Sequence, residues 1–343
     1  MKLESLEEAI EELDVELNES LVERLIEGFE IRRKNFGDKV FFYAPGFKHY
    51  EVEDFSIKTP PKFVDISVTG RQCELMCDHC ASKILWHMIP ATTPEQLIRV
   101  GCELKEKGVE GVLISGGSDK NGFVPLWDFF EAMKYLKQEL GFLLTCHIGL
   151  VDERFVEGLL YAGVDAVLLD IIGDDETIKE VYKLPHKTTK DYEESLRLLK
   201  EAGLRIVPHV IIGLHYGRIK GEYNAIDMIA KYNPDALVLV VVMPYYGKAK
   251  FQLLPPPKPE ETAEVILYAR KKVQKAPVVI GCARPAGPER VKLDAYAVLA
   301  GVNGIAFPAE GIVTYSKALG LKPVVSPNCC STVYSMVFDA ING

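Results

Sequence analysis

Regular alternation of short apolar runs with amphipathic segments predicts an α/β protein, a (β/α)8 barrel of the TIM type with an N-terminal helical extension and a C-terminal tail over the barrel mouth. Three observations carry that expectation. About eight runs satisfy the strand criterion, at residues 64–68, 111–115, 142–146, 166–171, 205–211, 236–243, 277–280 and 304–307. Helix-periodic segments lie between them, at 94–107, 128–139, 153–161, 191–201, 261–272 and 290–300. Gly-Val turns recur at 108–111, 163–166 and 301–304, where glycine supplies the left-handed cap that ends a helix before the next strand.

Taken in order, residues 1–60 read as the extension and 61–343 as the barrel with its C-terminal segment. The extension reads as two charged amphipathic helices followed by a hairpin-like apolar piece, Val40-Phe41-Phe42-Tyr43-Ala44-Pro45-Gly46. No Gly/Ser linker sets it apart as an independent unit. The strands that follow are apolar with little alternation, as parallel strands buried on both faces must be. In such barrels chemistry gathers at the C-terminal strand ends, so each strand end is a candidate site.

With 343 residues and 48% hydrophobic content the chain can build one large core. A net charge of -9 and the lack of a Lys/Arg-rich run argue against a nucleic-acid partner. The first ten residues are too acidic for a signal peptide, and no apolar run is long enough to span a bilayer, so a cytoplasmic protein is expected. In that reducing setting the eight cysteines are metal ligands or core residues and not disulfides.

The first strand ends in the loop Gly70-Arg-Gln-Cys-Glu-Leu-Met-Cys-Asp-His-Cys80. Cys73, Cys77 and Cys80 form a C-x3-C-x2-C triplet, and three thiolates on one loop can hold three irons of a cubane cluster while the fourth stays open. The rival is structural zinc, but no second C-x2-C or H-x3-H follows at short range, although His79 and His87 lie nearby.

This triplet after a first strand resembles the radical S-adenosylmethionine (SAM) superfamily. The resemblance implies a 4Fe-4S cluster whose open iron is chelated by SAM, and a 5'-deoxyadenosyl radical that abstracts hydrogen from an unactivated carbon. The residue before the last cysteine is usually aromatic in that family; here it is His79. The second strand end, Ser115-Gly116-Gly117-Ser118, resembles the family's Gly-Gly-Glu motif at the SAM amino group, with serine in place of glutamate and Asp119 next to it. Asp170 resembles the ribose-contacting position, and Gly213 the glycine of the strand on which adenine packs. Lys187 matches in spacing a cation that meets the SAM carboxylate.

The C-terminal third adds Gly281-Cys-Ala-Arg-Pro285 and Pro327-Asn-Cys-Cys330, so Cys282, Cys329 and Cys330 are candidate ligands of a second 4Fe-4S cluster, with three buried thiols as the alternative. Cys146 aligns with a second-cluster ligand of biotin synthase and competes for that role; Cys102 reads as packing. Within the biotin-synthase-like branch, this pairing looks most like a component of the two-protein lipoyl synthase. That likeness implies sulfur insertion into an octanoyl- or mercapto-octanoyl-lysine carrier protein, with a second synthase component and an electron donor such as a ferredoxin as partners. A biotin synthase-like enzyme acting on a free small molecule, a radical enzyme that rearranges or methylates carbon, and a non-catalytic metal-binding module are the alternatives.

Overall fold

Each expected strand turns one face to helices and the other inward, because side chains alternate along extended chain. The computed structural model describes residues 9–11, 13–45, 50–57 and 61–335. Ten strands carry the architecture: β1 (Lys39–Tyr43), β2 (Phe63–Ser67), β3 (Gly111–Ser115), β4 (Leu143–Ile148), β5 (Ala166–Asp170), β6 (Ile206–Ile212), β7 (Leu237–Val241), β8 (Val278–Ile280), β9 (Gly304–Ala306) and β10 (Lys322–Ser326). They pair in the order β10-β1-β9-β8-β7-β6-β5-β4-β3-β2, with the two-residue strand Ile89–Pro90 outside β2. Every pairing in this sheet is parallel.

The eight expected strands are β2 to β9, and the TIM-like α/β fold is the one observed. Among the described residues no ladder joins β10 to the β2 edge, so the sheet curls into a barrel that hydrogen bonds do not close. Outward residues such as Val64, Ile66, Val112, Leu144, Val167 and Leu239 share one core with the helices. Inward residues, among them Phe41, Tyr43, Phe63, Ala166, Leu168, Val207, Val238 and Val279, form a second cluster that fills part of the lumen.

The helices are α1 (Glu19–Phe36), α2 (Pro94–Glu106), α3 (Phe130–Gln138), α4 (Glu153–Ala162), α5 (Asp175–Glu180), α6 (Thr189–Glu201), α7 (Glu222–Lys231), α8 (Ala249–Gln252), α9 (Pro259–Lys272), α10 (Glu289–Leu299) and α11 (Ile312–Ala318). Polar caps start several of them: Asn18 accepts from the Leu21 amide, Thr93 from Gln96 and Asp152 from Phe155. Gly108, Gly163 and Gly301 have positive φ, so the recurrent Gly-Val turns are the left-handed exits they were expected to be.

Two features differ from the sequence reading. The apolar piece expected as a hairpin is β1 over its first four residues, a parallel strand seated between β9 and β10; Gly46 lies outside the described residues. Its burial from Val40 to Tyr43 is the mark of a strand covered on both faces, a pattern that an apolar hairpin shares in sequence. The first of the two expected N-terminal helices falls mostly on residues outside those described, and the second is α1. Past β10 the C-terminal segment starts at the mouth and turns into the lumen. Cys329, Cys330, Val333 and Tyr334 join the inward cluster, Cys330 near Cys282 after β8 and Tyr334 toward the strand starts, where Arg205, just before β6, lies 5.6 Å from its ring.

Candidate active site

The cysteine loop follows β2 directly and is held to the end of β3. The Glu74 amide donates to the Ser118 carbonyl at 2.9 Å, and the Gly117 amide donates to Thr69 Oγ1 at 2.7 Å. Gly117 is a steric requirement there, because a Cβ on it would overlap the Gln72 carbonyl and lie 2.5 Å from Cys73 Cβ. The loop also holds Met76, Ala81 and Ser82 at positive φ, a concentration of backbone strain of the kind found at functional sites.

Within the loop the Cys77 and Cys80 sulfurs and a ring nitrogen of His79 lie within 4.8 Å of one another. Cys73 lies outside that group of three, close enough to Cys77 to influence its thiol, and its own sulfur is 3.8 Å from the Ser118 carbonyl. The hydrogen bond with Cys77 holds the Cys80 thiol well below its ordinary value; burial opposes this and the His79 ring adds to it. Cys77, raised by Cys80 and by burial, donates its thiol to the Tyr182 carbonyl at 3.6 Å. A thiolate-leaning set of soft sulfur donors suits iron better than a hard cation. The buried His79 Nδ1 has no partner, which leaves a donor or acceptor free beside this set.

Below the loop lies a polar network on the inward faces of β2, β4, β5 and β6. Asp170 ends β5, its carboxylate 3.3 Å from His147 Nε2 and accepting from the Tyr182 hydroxyl at 2.8 Å. Tyr182 stacks on His79 at 5.0 Å, tying this carboxylate to the cysteine loop. The His147 and His209 rings are 4.9 Å apart. His209 Nδ1 lies 3.0 Å from the Val207 carbonyl, so it carries the proton and Nε2 is left as an acceptor.

The charges follow from these contacts. Burial disfavours the Asp170 carboxylate, but His147 and Tyr182 outweigh it and hold the group below the usual carboxylate range. His147 is raised in turn, since Asp170 overcomes its burial. His209 is pushed down to about 3 by burial and by His147. Asp65 on β2 is pushed up to about 6 by burial, although its side chain opens onto the lumen.

Cys282 follows β8, and Cys330, its thiol raised by Cys282 and Cys329, lies near both of them. Cys330 thus links the three C-terminal cysteines, although their sulfurs do not all lie within 4.8 Å of one another and Cys282 is exposed. Cys329 feels Asp65 and His147, which places this set on the lumen as well. The buried Tyr43 hydroxyl, without a partner, lies beside Cys329 and Cys330. Cys146 is elsewhere: it is fully buried on the outer face of β4, against the helices. Alternation on β4 sends Thr145 and His147 inward and Cys146 outward, so it is removed from both cysteine sets.

Other sequence candidates have structural partners. Ser115 donates its hydroxyl to the His147 carbonyl at 2.8 Å, and Gly116 packs on Val68 and Thr69. Asp119 accepts from the Asn121 and Phe123 amides in a turn. Gly213, at positive φ, packs against Pro257 and donates to Glu222. Lys187 pairs with Asp191 at 3.2 Å on the same helix start, not with the lumen. Arg284, from the Gly281-to-Pro285 motif, is a buried clamp bonded twice to Asp294 and to the Gly281, Ala306 and Phe307 carbonyls. Sequence reasoning passed over Asp65, His147 and Tyr182; period-2 counting along β2 and β4 was the signal that would have put the first two inside.

Residues 67–218, from the end of β2 past β6, match the family model of the radical SAM superfamily. This segment is a radical SAM domain. The chain is 28% identical over 160 residues to the biotin synthase of Geotalea daltonii, 43% of this chain and 46% of that one, so about half of the relative's length is spanned. Among solved structures, methylornithine synthase (PylB) gives a TM-score of 0.59 at 14% identity, covering 97% of this chain and 96% of that one. The FeFe-hydrogenase maturase HydG from Carboxydothermus hydrogenoformans gives 0.61 at 14% identity, covering 93% and 75%. These likenesses show a shared fold. A radical SAM family implies a 4Fe-4S cluster and SAM, and the donor set of the cysteine loop fits the cluster. Among the described residues no helix is long and apolar enough to cross a membrane.

Proposed function

We propose that this radical SAM enzyme inserts sulfur, as one component of a two-protein lipoyl synthase acting on an octanoyl- or mercapto-octanoyl-lysine carrier protein. What supports this reading is a second set of cysteines on the same barrel as Cys73, Cys77 and Cys80: Cys282 after β8, with Cys330 near it and near Cys329, which in turn lies near His147 of the Asp170–His147 pair. Carbon–sulfur bond formation needs a radical source and a sulfur source around one substrate carbon, where positioning replaces diffusion. When bound, the mouth cluster and SAM supply the hydrogen-abstracting 5'-deoxyadenosyl radical, and a second cluster supplies sulfide.

The chain's own residues then have separable tasks. Cys73, Cys77 and Cys80 would hold the first cluster, with SAM as its remaining ligand. The strand end Ser115 to Ser118, Asp170 and Gly213 line the SAM side of the mouth. Asp170, fixed by His147 and Tyr182, presents a charged acceptor suited to ribose hydroxyls. Cys282, Cys329 and Cys330 would hold the second cluster, and the buried Val333 and Tyr334 add apolar packing to the lumen.

The decisive experiment supplies anaerobically reconstituted protein with SAM, reductant, the second synthase component and an octanoyl-lysine or mercapto-octanoyl-lysine carrier domain. A carrier mass gain of one sulfur per event is expected. Production of 5'-deoxyadenosine without any carbon–sulfur bond on either carrier overturns the lipoyl reading. Sulfur insertion into dethiobiotin assigns the chain to a free small molecule instead.

A further inference from the structure

Two segments flank the cysteine loop and carry a surface that the reaction itself does not use. The helical turn Lys83–His87 follows the triplet, and the segment from Pro244 through α8 follows β7. They are locked together: Lys83 Nζ reaches the Tyr245 and Gly247 carbonyls at 3.5 and 3.3 Å, and the Tyr246 hydroxyl lies 3.2 Å from His87 Nε2. The Lys248 amide donates to the Asp78 carbonyl at 2.9 Å, and a Cβ on Gly247 would lie 2.8 Å from that oxygen. Asp78 stands between Cys77 and His79, so the surface is continuous with the mouth.

Large apolar side chains are concentrated there. Met76, Ile84, Trp86, Tyr245 and Leu253 are exposed, Leu253 at 85% and Tyr245 at 57%. Exposed apolar groups scattered singly are ordinary, but several gathered on two interlocked segments at a mouth mark an interaction face.

Cations surround them. Arg71 lies over the Trp86 ring at 5.5 Å, and Lys250 over the Tyr216 ring at 4.2 Å. Lys183 and Lys248 both pair with Asp78, at 2.8 and 3.0 Å, and the Tyr216 hydroxyl donates to the same carboxylate. With Lys83, five cations lie along this face, two of them on the Asp78 carboxylate and three on rings or backbone carbonyls, on a protein whose net charge is -9. A local positive rim on an acidic protein attracts an acidic partner at this face and repels it elsewhere.

We infer that the face formed by Arg71, Lys83, Trp86, Tyr245, Lys250 and Leu253 docks an acidic protein domain that carries the acyl chain, and so delivers the acyl lysine to the barrel mouth. The inference rests on the reading of the substrate as an acyl group held by a carrier protein. Apolar contacts at the centre provide the adhesion, and the cations set orientation and encounter rate.

The test measures binding of an octanoylated acidic carrier domain with SAM omitted, so that no chemistry is required, at low and at high salt. Two doubly substituted proteins are compared with wild type: Arg71→Glu with Lys250→Glu, and Trp86→Ser with Leu253→Ser. Both variants are expected to bind the carrier at least about tenfold more weakly, and the charge variant to lose most of the salt dependence. Turnover of a short octanoyl-lysine peptide is expected to match wild type, while kcat/KM on the intact carrier falls with binding. Unchanged carrier binding in both variants overturns the proposal, as does an equal loss on peptide and carrier. Wild-type protein that self-associates through this face, with both variants monomeric, assigns it to a second copy and also overturns it. Carrier binding that depends on the face without any carbon–sulfur bond formation leaves docking standing and removes only the lipoyl reading.

Discussion

Gly117 shows how a single backbone atom pair sets the geometry of the mouth. Its missing side chain lets the end of β3 touch Gln72 and Cys73, and any Cβ meets backbone that cannot swing away. Gly117→Ala is expected to displace Cys73 and lower 5'-deoxyadenosine production about a hundredfold, since small misplacements at a reacting centre are that costly. Anaerobic product assay after reconstitution checks this, and near-wild-type production refutes it. Asp170 and His147 give a pH signature at the same scale. Asp170 is held low, so its contribution exists above the unfolded carboxylate range and fades as pH falls through the folded value. His147 is held high, so its contribution exists below the unfolded imidazole value near 6.5 and fades as pH rises through the folded one. The pair therefore stabilises most between about pH 4 and 6.5. His147→Gln is expected to cost about 1–2 kcal/mol near pH 5.5 and less near pH 9 in cluster-free protein, read by urea unfolding. Equal losses at both values would show that the contact carries no charge.

At the scale of elements, the loop after β8 depends on α10. Arg284 and Asp294 are both fully buried and joined by two bonds, and Asp294 also accepts from the Ala309 amide. The pair fixes Cys282, two residues before Arg284, relative to β9 and its exit. Asp294→Asn leaves a buried guanidinium without its counter-charge and is expected to destabilise by about 3–5 kcal/mol. A chemical denaturation curve within about 1 kcal/mol of wild type would contradict the clamp. The packing of α1 has a similar dependence, because a Cβ on Gly28 would overlap the Ala300 carbonyl at the end of α10. Close glycine contact between those two helices brings β1, which follows α1, into line beside β9.

For the whole molecule the open question is how many clusters one barrel holds. The C-terminal segment leaves β10 at the mouth, brings Cys330 near Cys282, and carries Val333 and Tyr334 into the inward cluster. Replacing Cys329 and Cys330 with alanine together is expected to lower iron from about eight to about four per chain while SAM cleavage persists. Iron unchanged in that variant, or absent from one lacking only Cys73, Cys77 and Cys80, would refute a second cluster on this set. Cys146→Ala is expected to leave iron content as in wild type, because its thiol faces the helices.

The sequence by itself determined the eight β/α units from β2 to β9, the helix exits at Gly108, Gly163 and Gly301, and the triplet that marks the superfamily. Those features are local: strand and helix periodicity and the spacing of ligands in one loop need no distant partner to be read. Tertiary structure decided the rest. β1 looks like an apolar hairpin until its neighbours β9 and β10, more than 260 residues away, are known to flank it. Cys146 and His147 are adjacent in sequence and opposite in role, because the pleat turns one to the helices and the other to the lumen. Cys329 and Cys330 reach Cys282 only because the segment after β10 turns inward where the sheet does not close. Such contacts depend on burial and on which strand lies beside which, quantities that no short stretch of the chain contains.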